Sequence, residues 1–537
     1  MASSLVGRAS IRGGSETVQM VLLTFCTIGI TFTWGIEMTY CTPYLLNLGL
    51  TKSNTSLVWI AGPLSGLIVQ PIVGVVADES TSRWGRRRPL MMVGAVIVSA
   101  CLLVLGFTRE IVGGFMGAEA GSDAARRVTV VLAVAAIYAV DFAINMIMSC
   151  ARSLIVDTLP IEKQQAGAAW GSRMNAIGHM IGYGAGSIDL VRLLGPGFGD
   201  SQFKQLTVIA AMAILGTTSV TCWAVTERVL VASKDHDDKK QHLDDPLSVF
   251  RQIRSTLLTL PPRVQAICWA QFWSWIGWFP FLFYSTTWVG ETYFRYDMPP
   301  GAKKSADTLG DIGRIGSAAL MIYSTVSFVG AFFLPMVVRS PDDDSYTHRP
   351  PRAMAGFLEK LNSMKPDLLT AWICGHLMFS AAMFMAPLAR SFISATFLMC
   401  LCGIPWAIAM WAPTAFLGIE VNKLSGAHDP SSGLPSSRSS SRSSSSSSSS
   451  STSGELSGIY FGILNIYTTL PQFIGTFIST IVFAILEPGK SPELHEAAED
   501  TASKDAGEGT NAIAVCLFIG AMSTLIAARM TQKLRKL

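Results

Sequence analysis

Charge is what this chain has little of. Of its 537 residues only 15% are Asp, Glu, Lys or Arg, where a soluble domain carries about 25%. Half of the residues are hydrophobic and the mean hydropathy is +0.40. A soluble globular protein is thereby excluded, and a polytopic membrane protein is what remains. The net charge of +4 carries no signature of nucleic-acid binding. No nucleophile–base pair, metal-ligand cluster or phosphate loop occurs in the sequence, so neither an enzyme, a cofactor nor a metal site is expected. The ten cysteines lie almost entirely in apolar segments, and Cys400 and Cys402 miss the C-x-x-C spacing. Disulfides are therefore not expected either. Nor is a cleavable leader: the first apolar run is long, lacks a small-residue cleavage site and contains Glu37.

What the chain does have is long apolar runs. A helix needs roughly 20 such residues to cross a bilayer. Runs of that kind fit near Val18–Tyr40, Leu57–Ala77, Pro89–Phe107, Val128–Val156, Ala166–Ser187 and Leu206–Val225. After a charged stretch, further runs fit near Val264–Val289, Ile315–Val338, Leu368–Pro387, Phe392–Glu420, Gly458–Leu486 and Asn511–Ala528. The predicted fold is all-α and polytopic, with about twelve transmembrane helices in a six-plus-six major facilitator arrangement, whose halves are pseudo-repeats around a midplane site.

The predicted organisation is a cytoplasmic N-terminus (1–17), a six-helix bundle (18–225), a cytoplasmic connector (226–263), a second bundle (264–528) and a cytoplasmic C-terminus (529–537). Residues 421–457 are rich in serine, cannot bury apolar surface, and are expected to form a disordered cytoplasmic loop. Orientation follows from Lys and Arg. Arg83, Arg86, Arg87 and Arg88, then Arg251, Arg254 and Arg263, then Lys533, Arg535 and Lys536 all fall on the side of Arg8 and Arg12, which is read as cytoplasmic.

Two charges interrupt the fourth run. Asp141, Asn145, Met148 and Arg152 follow one another at steps of four, three and four, so they share one helix face. A charge near the bilayer centre costs at least about 2.5–3.5 kcal/mol, so that face should look into a protein cavity. It is the natural working face of a transporter. Asn145 is one turn from Asp141, within reach of its carboxylate. Arg152 lies about 16 Å further along the helix, too far for a permanent direct pair with Asp141. An interhelical hydrogen bond for Asp141, and a snorkelling anchor for Arg152, are the structural alternatives.

Elsewhere, Gly74, Asp78, Arg83, Gly85, Arg86, Arg87 and Arg88 lie in the segment GVVADESTSRWGRRRP at the end of the second run. Gly74 is expected to permit a close helix approach and Asp78 to meet a cation or a helix N-terminus, which makes a gating latch. A simple cytoplasmic anchor is the alternative. Glu37 in the first run is a candidate for proton transfer or for binding hydroxyls, or else a helix–helix contact. Asn175, His179 and Asn465 are polar residues in apolar runs, candidate cavity liners or interhelical glue. Trp273, Trp275, Trp278 and Trp288 crowd the seventh run. Aromatic faces stack on the C–H faces of sugars, although Trp288, at the end of the run, fits an interfacial belt.

At this point a resemblance becomes specific. The segment Gly62–Pro89, with TPYLLNLG, DFAINMIMSCARSLIVD, FWSWIGWFPFLFYSTTWVGE, GIPWAI and YFGILNIYTTLPQ, resembles the sucrose/proton symporter family of the major facilitator superfamily, and is most similar to its fungal α-glucoside permeases. The resemblance implies uptake of sucrose or maltose with a proton. It implies Asp141 as the protonatable aspartate and Arg152 as the essential arginine. Glu37 is a further proton-coupling candidate; Arg152, Asn145, Glu37, Asn175, Trp278 and Asn465 are the substrate-binding candidates. The family's plant members have acidic residues where Ser285 and Thr287 stand, and a histidine where Lys52 stands. The partners implied are a disaccharide, a proton and the lipid bilayer, with no cofactor. The membrane implied is the plasma membrane. An organellar sugar exporter and a non-transporting sugar sensor remain the rival readings.

Overall fold

The computed structural model describes residues 4–6, 9–78, 80–117, 122–231, 260–298, 308–338, 365–427, 449–487 and 511–537. Its long helices are α1, a bent pair formed by Glu16–Thr24 and Cys26–Asn47, then α2 (Ala61–Asp78), α3 (Arg88–Gly106), α4 (Asp123–Thr158), α5 (Ile161–Ser187) and α6 (Gln202–Ala224). They continue with α7 (Pro262–Thr292), α8 (Thr308–Val337), α9 (Leu368–Phe384), α10 (Gly403–Ala427), α11 (Ser449–Leu486) and α12 (Ala512–Lys533). Among the described residues nine helices are long and apolar enough to cross a membrane, ten if the bent pair counts as one span. The other two, α5 and α7, are long enough at 27 and 31 residues but carry too many polar and indole groups. Such groups are tolerated at membrane depth where they face protein or a wet cavity.

The helices pack in a pattern that repeats. In the first six, α1 packs on α5 and α6, α3 on α4 and α6, and α2 on α4. In the second six, α7 packs on α11 and α12, α9 on α10 and α12, and α8 on α10. Each pairing recurs six helices later. The repeat extends to atoms. A Cβ on Gly29 of α1 would meet Ala213 O of α6 at 3.1 Å and collide with the Thr217 hydroxyl, which is itself bonded back to Ala213 O at 2.8 Å. A Cβ on Gly277 of α7 would meet Gly520 O of α12 at 2.6 Å and collide with the Thr524 hydroxyl, which is bonded back to Gly520 O at 2.9 Å. Between lipid-solvated helices there is little hydrophobic drive, so close backbone approach at small residues supplies the attraction.

The two sets of six meet along α5 with α8 and along α2 with α11, pairs that are again related by the repeat. The described bonds that join them cluster at one end. Thr286 donates to Met38 O at 3.2 Å, Ser53 to Thr480 O at 3.1 Å, and Arg314 pairs with Asp189 at 3.3 Å. These residues lie where α1, α5, α7 and α11 finish, the end read as external from the basic residues. The structure is therefore sealed at that end.

Two expectations change. Helix α10 runs to Ala427 and α11 begins at Ser449, so the serine-rich loop is shorter than 421–457. Extending an anchored helix adds one hydrogen bond per residue and does not repeat the cost of nucleation. The remaining residues 428–448 lie outside those described. The second change is a pair of short antiparallel ladders at the N-terminus: β1 (Ser4–Val6) with β4 (Val229–Val231), and β2 (Ser10–Ile11) with β3 (Val225–Thr226). Strands of two or three residues have too few positions to show a period.

Candidate functional site: a buried acid pair and the turn between α2 and α3

Helix α4 supplies the centre of the site. It starts at Ser122, whose hydroxyl accepts from Ala125 N at 3.2 Å, and runs for 36 residues with its polar face turned inward. Asp141 and Asn145 on that face are each 4% exposed. Asp141 lies against α2, with one carboxylate oxygen 3.9 Å from the position a Cβ would take on Gly62. Its carboxyl accepts no hydrogen bond from a described residue.

Asn145 does not bond that carboxylate, contrary to expectation. Its amide donates to Ser65 Oγ at 2.7 Å and to the Asp141 main-chain oxygen at 3.0 Å, and accepts from Gln70 Nε2 at 2.9 Å. A rotamer that reaches α2 satisfies three partners, and the neighbouring carboxylate would satisfy one. Asn145 thereby clamps α4 to α2, and both of its donors are already engaged in this state.

Glu37 approaches from α1. It opens a π-helical turn, Glu37–Cys41, a local widening frequent at functional sites. Glu37 is 6% exposed, and its Oε1 is buried without a hydrogen-bond partner among the described residues. The groups around it are mostly apolar, including Ile36, Leu102, Leu105, Val140 and Phe203. Glu37 and Asp141 lie within electrostatic reach of each other. Two acids set together with no described cation beside them have the chemistry of a proton site.

Arg152 is exposed although it lies within the span, and it makes no hydrogen bond or ion pair among the described residues. Asn175 on α5 and Asn465 on α11 are likewise exposed. His179 meets the Asn175 carbonyl at 3.1 Å and packs on Tyr183. Trp278 is placed differently from expectation. It is 2% exposed and packed against Phe281, Phe379 and Trp406, in the core between α7, α9 and α10. Trp288 is also buried, at 1% exposure, and forms no interfacial belt. An indole is mostly apolar, and facing helices offered these two rings more contact than a cavity or a headgroup would. The exposed aromatic surface on α7 is at Trp269, edge-on to Phe272 and to Tyr467 of α11, two residues from Asn465.

The turn between α2 and α3 is built around Glu227, which no local motif marks. Its carboxylate accepts the main-chain N–H groups of Arg86, Arg87 and Arg88 at 2.7, 2.9 and 2.9 Å, at the N-terminus of α3, where a negative charge is favoured. Gly85 is required by its φ of +111° and by space, since a Cβ would meet the Glu227 carboxyl at 2.8 Å. Asp157, at the end of α4, pairs with Arg86 at 3.0 Å and Arg87 at 3.1 Å. Arg88 Nη1 donates to Cys222 O of α6 at 3.0 Å. These contacts tie together the start of α3 and the ends of α4 and α6.

Arg83 is exposed and makes no described pair, and the side chain of Asp78 lies outside those described. Gly74 departs from expectation. Nothing lies within 4 Å of its would-be Cβ among the described residues, and Ile72 and Val76 beside it are exposed. The close approach expected there is not seen among the described residues.

Glu227→Ala is expected to lower the detergent melting temperature more than Glu227→Gln. The alanine variant leaves three N–H groups unmet, at up to about 1–3 kcal/mol for each that stays dry, whereas the amide oxygen still accepts. Equal melting curves for the two variants would remove Glu227 from this role.

Residues 24–301 match the MFS/sugar transport protein family. The General alpha-glucoside permease of Schizosaccharomyces pombe is 28% identical, over 96% of this chain and 92% of that protein. A sucrose transport protein of Arabidopsis thaliana is 27% identical, over 76% of this chain and 79% of that one. Among solved structures, a bacterial homolog of the human lysosomal transporter Spinster, in an inward-facing and occupied conformation, superposes with a TM-score of 0.55 at 13% identity, over 98% of each chain.

Proposed function

This chain belongs to the MFS/sugar transport protein family, and from that premise we propose that it is a proton-coupled symporter of sucrose- and maltose-type α-glucosides, working by alternating access in the plasma membrane. The observation that carries the reading is the pair Glu37 and Asp141, buried and within reach of each other, with Arg152 exposed further along the same face of α4. The substrate class is that in the names of the α-glucoside permease and the sucrose transport protein to which the chain is similar.

In the cycle we propose, the outward-open protein takes a proton on Asp141, with Glu37 as the second acidic site. A disaccharide enters the central cavity, where Arg152, Asn175 and Asn465 bond its hydroxyls. Each hydroxyl left dry and unmet would cost about 1–3 kcal/mol, so loading waits for a sugar of matching geometry. The halves then rock about the site, the outer end seals, and both ligands leave toward the cytoplasm. The turn held by Glu227 and Asp157 closes the inner end in the return step.

The test is uptake of labelled sucrose and maltose by a host without carriers of its own, across external pH. Accumulation that rises in acid and collapses with a protonophore is the expected result. Protein present at the surface that moves neither sugar would overturn the reading.

A further inference from the structure

The outer end of the molecule holds a second group of charges that the transport reading leaves unused. Lys52, at the start of the short helix Lys52–Val58, belongs to the first six helices. Its ammonium is 2.7 Å from Glu291 Oε1 at the end of α7 and 2.5 Å from Glu487 Oε2 at the end of α11, both in the second six. Lys52 is 3% exposed and Glu291 is fully buried. Arg295, just beyond α7, lies 3.6 Å from the other oxygen of Glu487, which also accepts Ala512 N at the head of α12 at 3.1 Å. Glu487 is thus anchored to its own half and grips Lys52 across the seam.

We propose that Lys52, Glu291 and Glu487 form an ionic lock that holds the outer gate shut and sets the balance between inward- and outward-facing protein. A buried ammonium without its carboxylates would be far costlier than the intact cluster, so the closed state requires all three. Once the outer end parts, water solvates each charge, and what the lock contributes is close to what hydration returns. That near-balance is what a gate needs: closed at rest and openable by modest differential binding. The wall of the same small cavity carries the buried hydroxyls of Thr55 and Thr287, which have no described partner and gain water on opening.

Within the lock, Glu487 is held in its charged form. Burial pushes the Glu487 carboxyl up, but Lys52 beside it, the Ala512 N–H and Arg295 outweigh burial and hold it below the usual carboxylate range. The groups facing it are Lys52 from the short helix, Glu291 and Arg295 from α7 and the turn after it, and Cys516 from α12. A depressed carboxyl contributes its attraction throughout the range above its unfolded value and loses it only as pH falls through the lowered one. Mild external acid therefore leaves Glu487 ionised.

The inference rests on alternating access but not on which ligand moves. The experiment is labelling of Thr55→Cys from outside by a membrane-impermeant maleimide in the full-length protein, with and without Lys52→Gln, alongside uptake of labelled sugar. Lys52→Gln should raise the labelling rate by on the order of tenfold, as expected when the outward-facing minor state grows. Lys52→Arg should keep the slow rate, and Glu487→Gln reads the same seam if the lysine variant is poorly produced. An unchanged rate in both Lys52→Gln and Glu487→Gln would overturn the lock. A protein that labels as expected yet carries no sugar keeps the lock and loses the substrate reading.

Discussion

Asp141→Asn abolishes accumulation of sugar against its gradient while leaving downhill exchange in place: this is the largest functional effect expected of a single substitution. The membrane potential supplies about 2.3 kcal/mol per charge per 100 mV, enough for roughly fiftyfold concentration of a solute that moves with one proton. An amide has the carboxyl's shape but cannot carry the proton, so the steady-state ratio should fall to about one. The substitution is a clean one structurally. The Asp141 carboxyl accepts no described hydrogen bond, and Asn145 is held by Ser65, by Gln70 and by the main-chain oxygen of residue 141, which the mutation leaves alone. The measurement is the steady-state internal ratio of labelled sugar with and without protonophore, paired with counterflow in preloaded vesicles. Accumulation at the wild-type level in the variant would take the coupling role from Asp141 and give it to Glu37.

Gly277→Val should produce the largest loss of stability. Its Cβ would stand 2.6 Å from Gly520 O and collide with the Thr524 hydroxyl, and main chain on the far side cannot rotate away as a side chain can. Overpacking ordinarily costs about 1–3 kcal/mol, and here the obstacle is backbone at the seam of α7 and α12, so the upper end or beyond is expected. Gly277→Ala meets the same oxygen and should fall between. Gly216 on α6 has nothing within 4 Å of its would-be Cβ, and Gly216→Ala should lie within about 0.5 kcal/mol of wild type. Melting temperatures in detergent order the three variants. A melting temperature for Gly277→Val no lower than that of Gly216→Ala would mean that the α7–α12 seam yields more than its geometry allows.

The proton site and the lock divide the labour of the charges that this chain does spend. Glu37 and Asp141 are acids placed together without a described cation, whereas Glu487 is an acid held between two. Burial is common to both settings; what differs is whether a counter-charge is supplied. In the proposed cycle the first arrangement exchanges a proton and the second keeps its charge.

By itself the sequence determined that the chain lives in a bilayer, that its elements are helices, and that Asp141, Asn145 and Arg152 share one face of the fourth. These are properties of single segments: a run of apolar residues long enough to span, a 3.6-residue period, a charge too costly to face lipid. Tertiary structure decided everything that needs two segments. Glu227 sits beside Arg86, Arg87 and Arg88, Lys52 between Glu291 and Glu487, and Gly277 against Gly520; no local pattern marks such partners, since they are separated by more than a hundred residues. The same reason accounts for Trp278 and Asn145. An indole in a span packs wherever facing helices offer most contact, and an amide points to whichever neighbours satisfy most of its atoms. Those neighbours exist only once the helices are assembled.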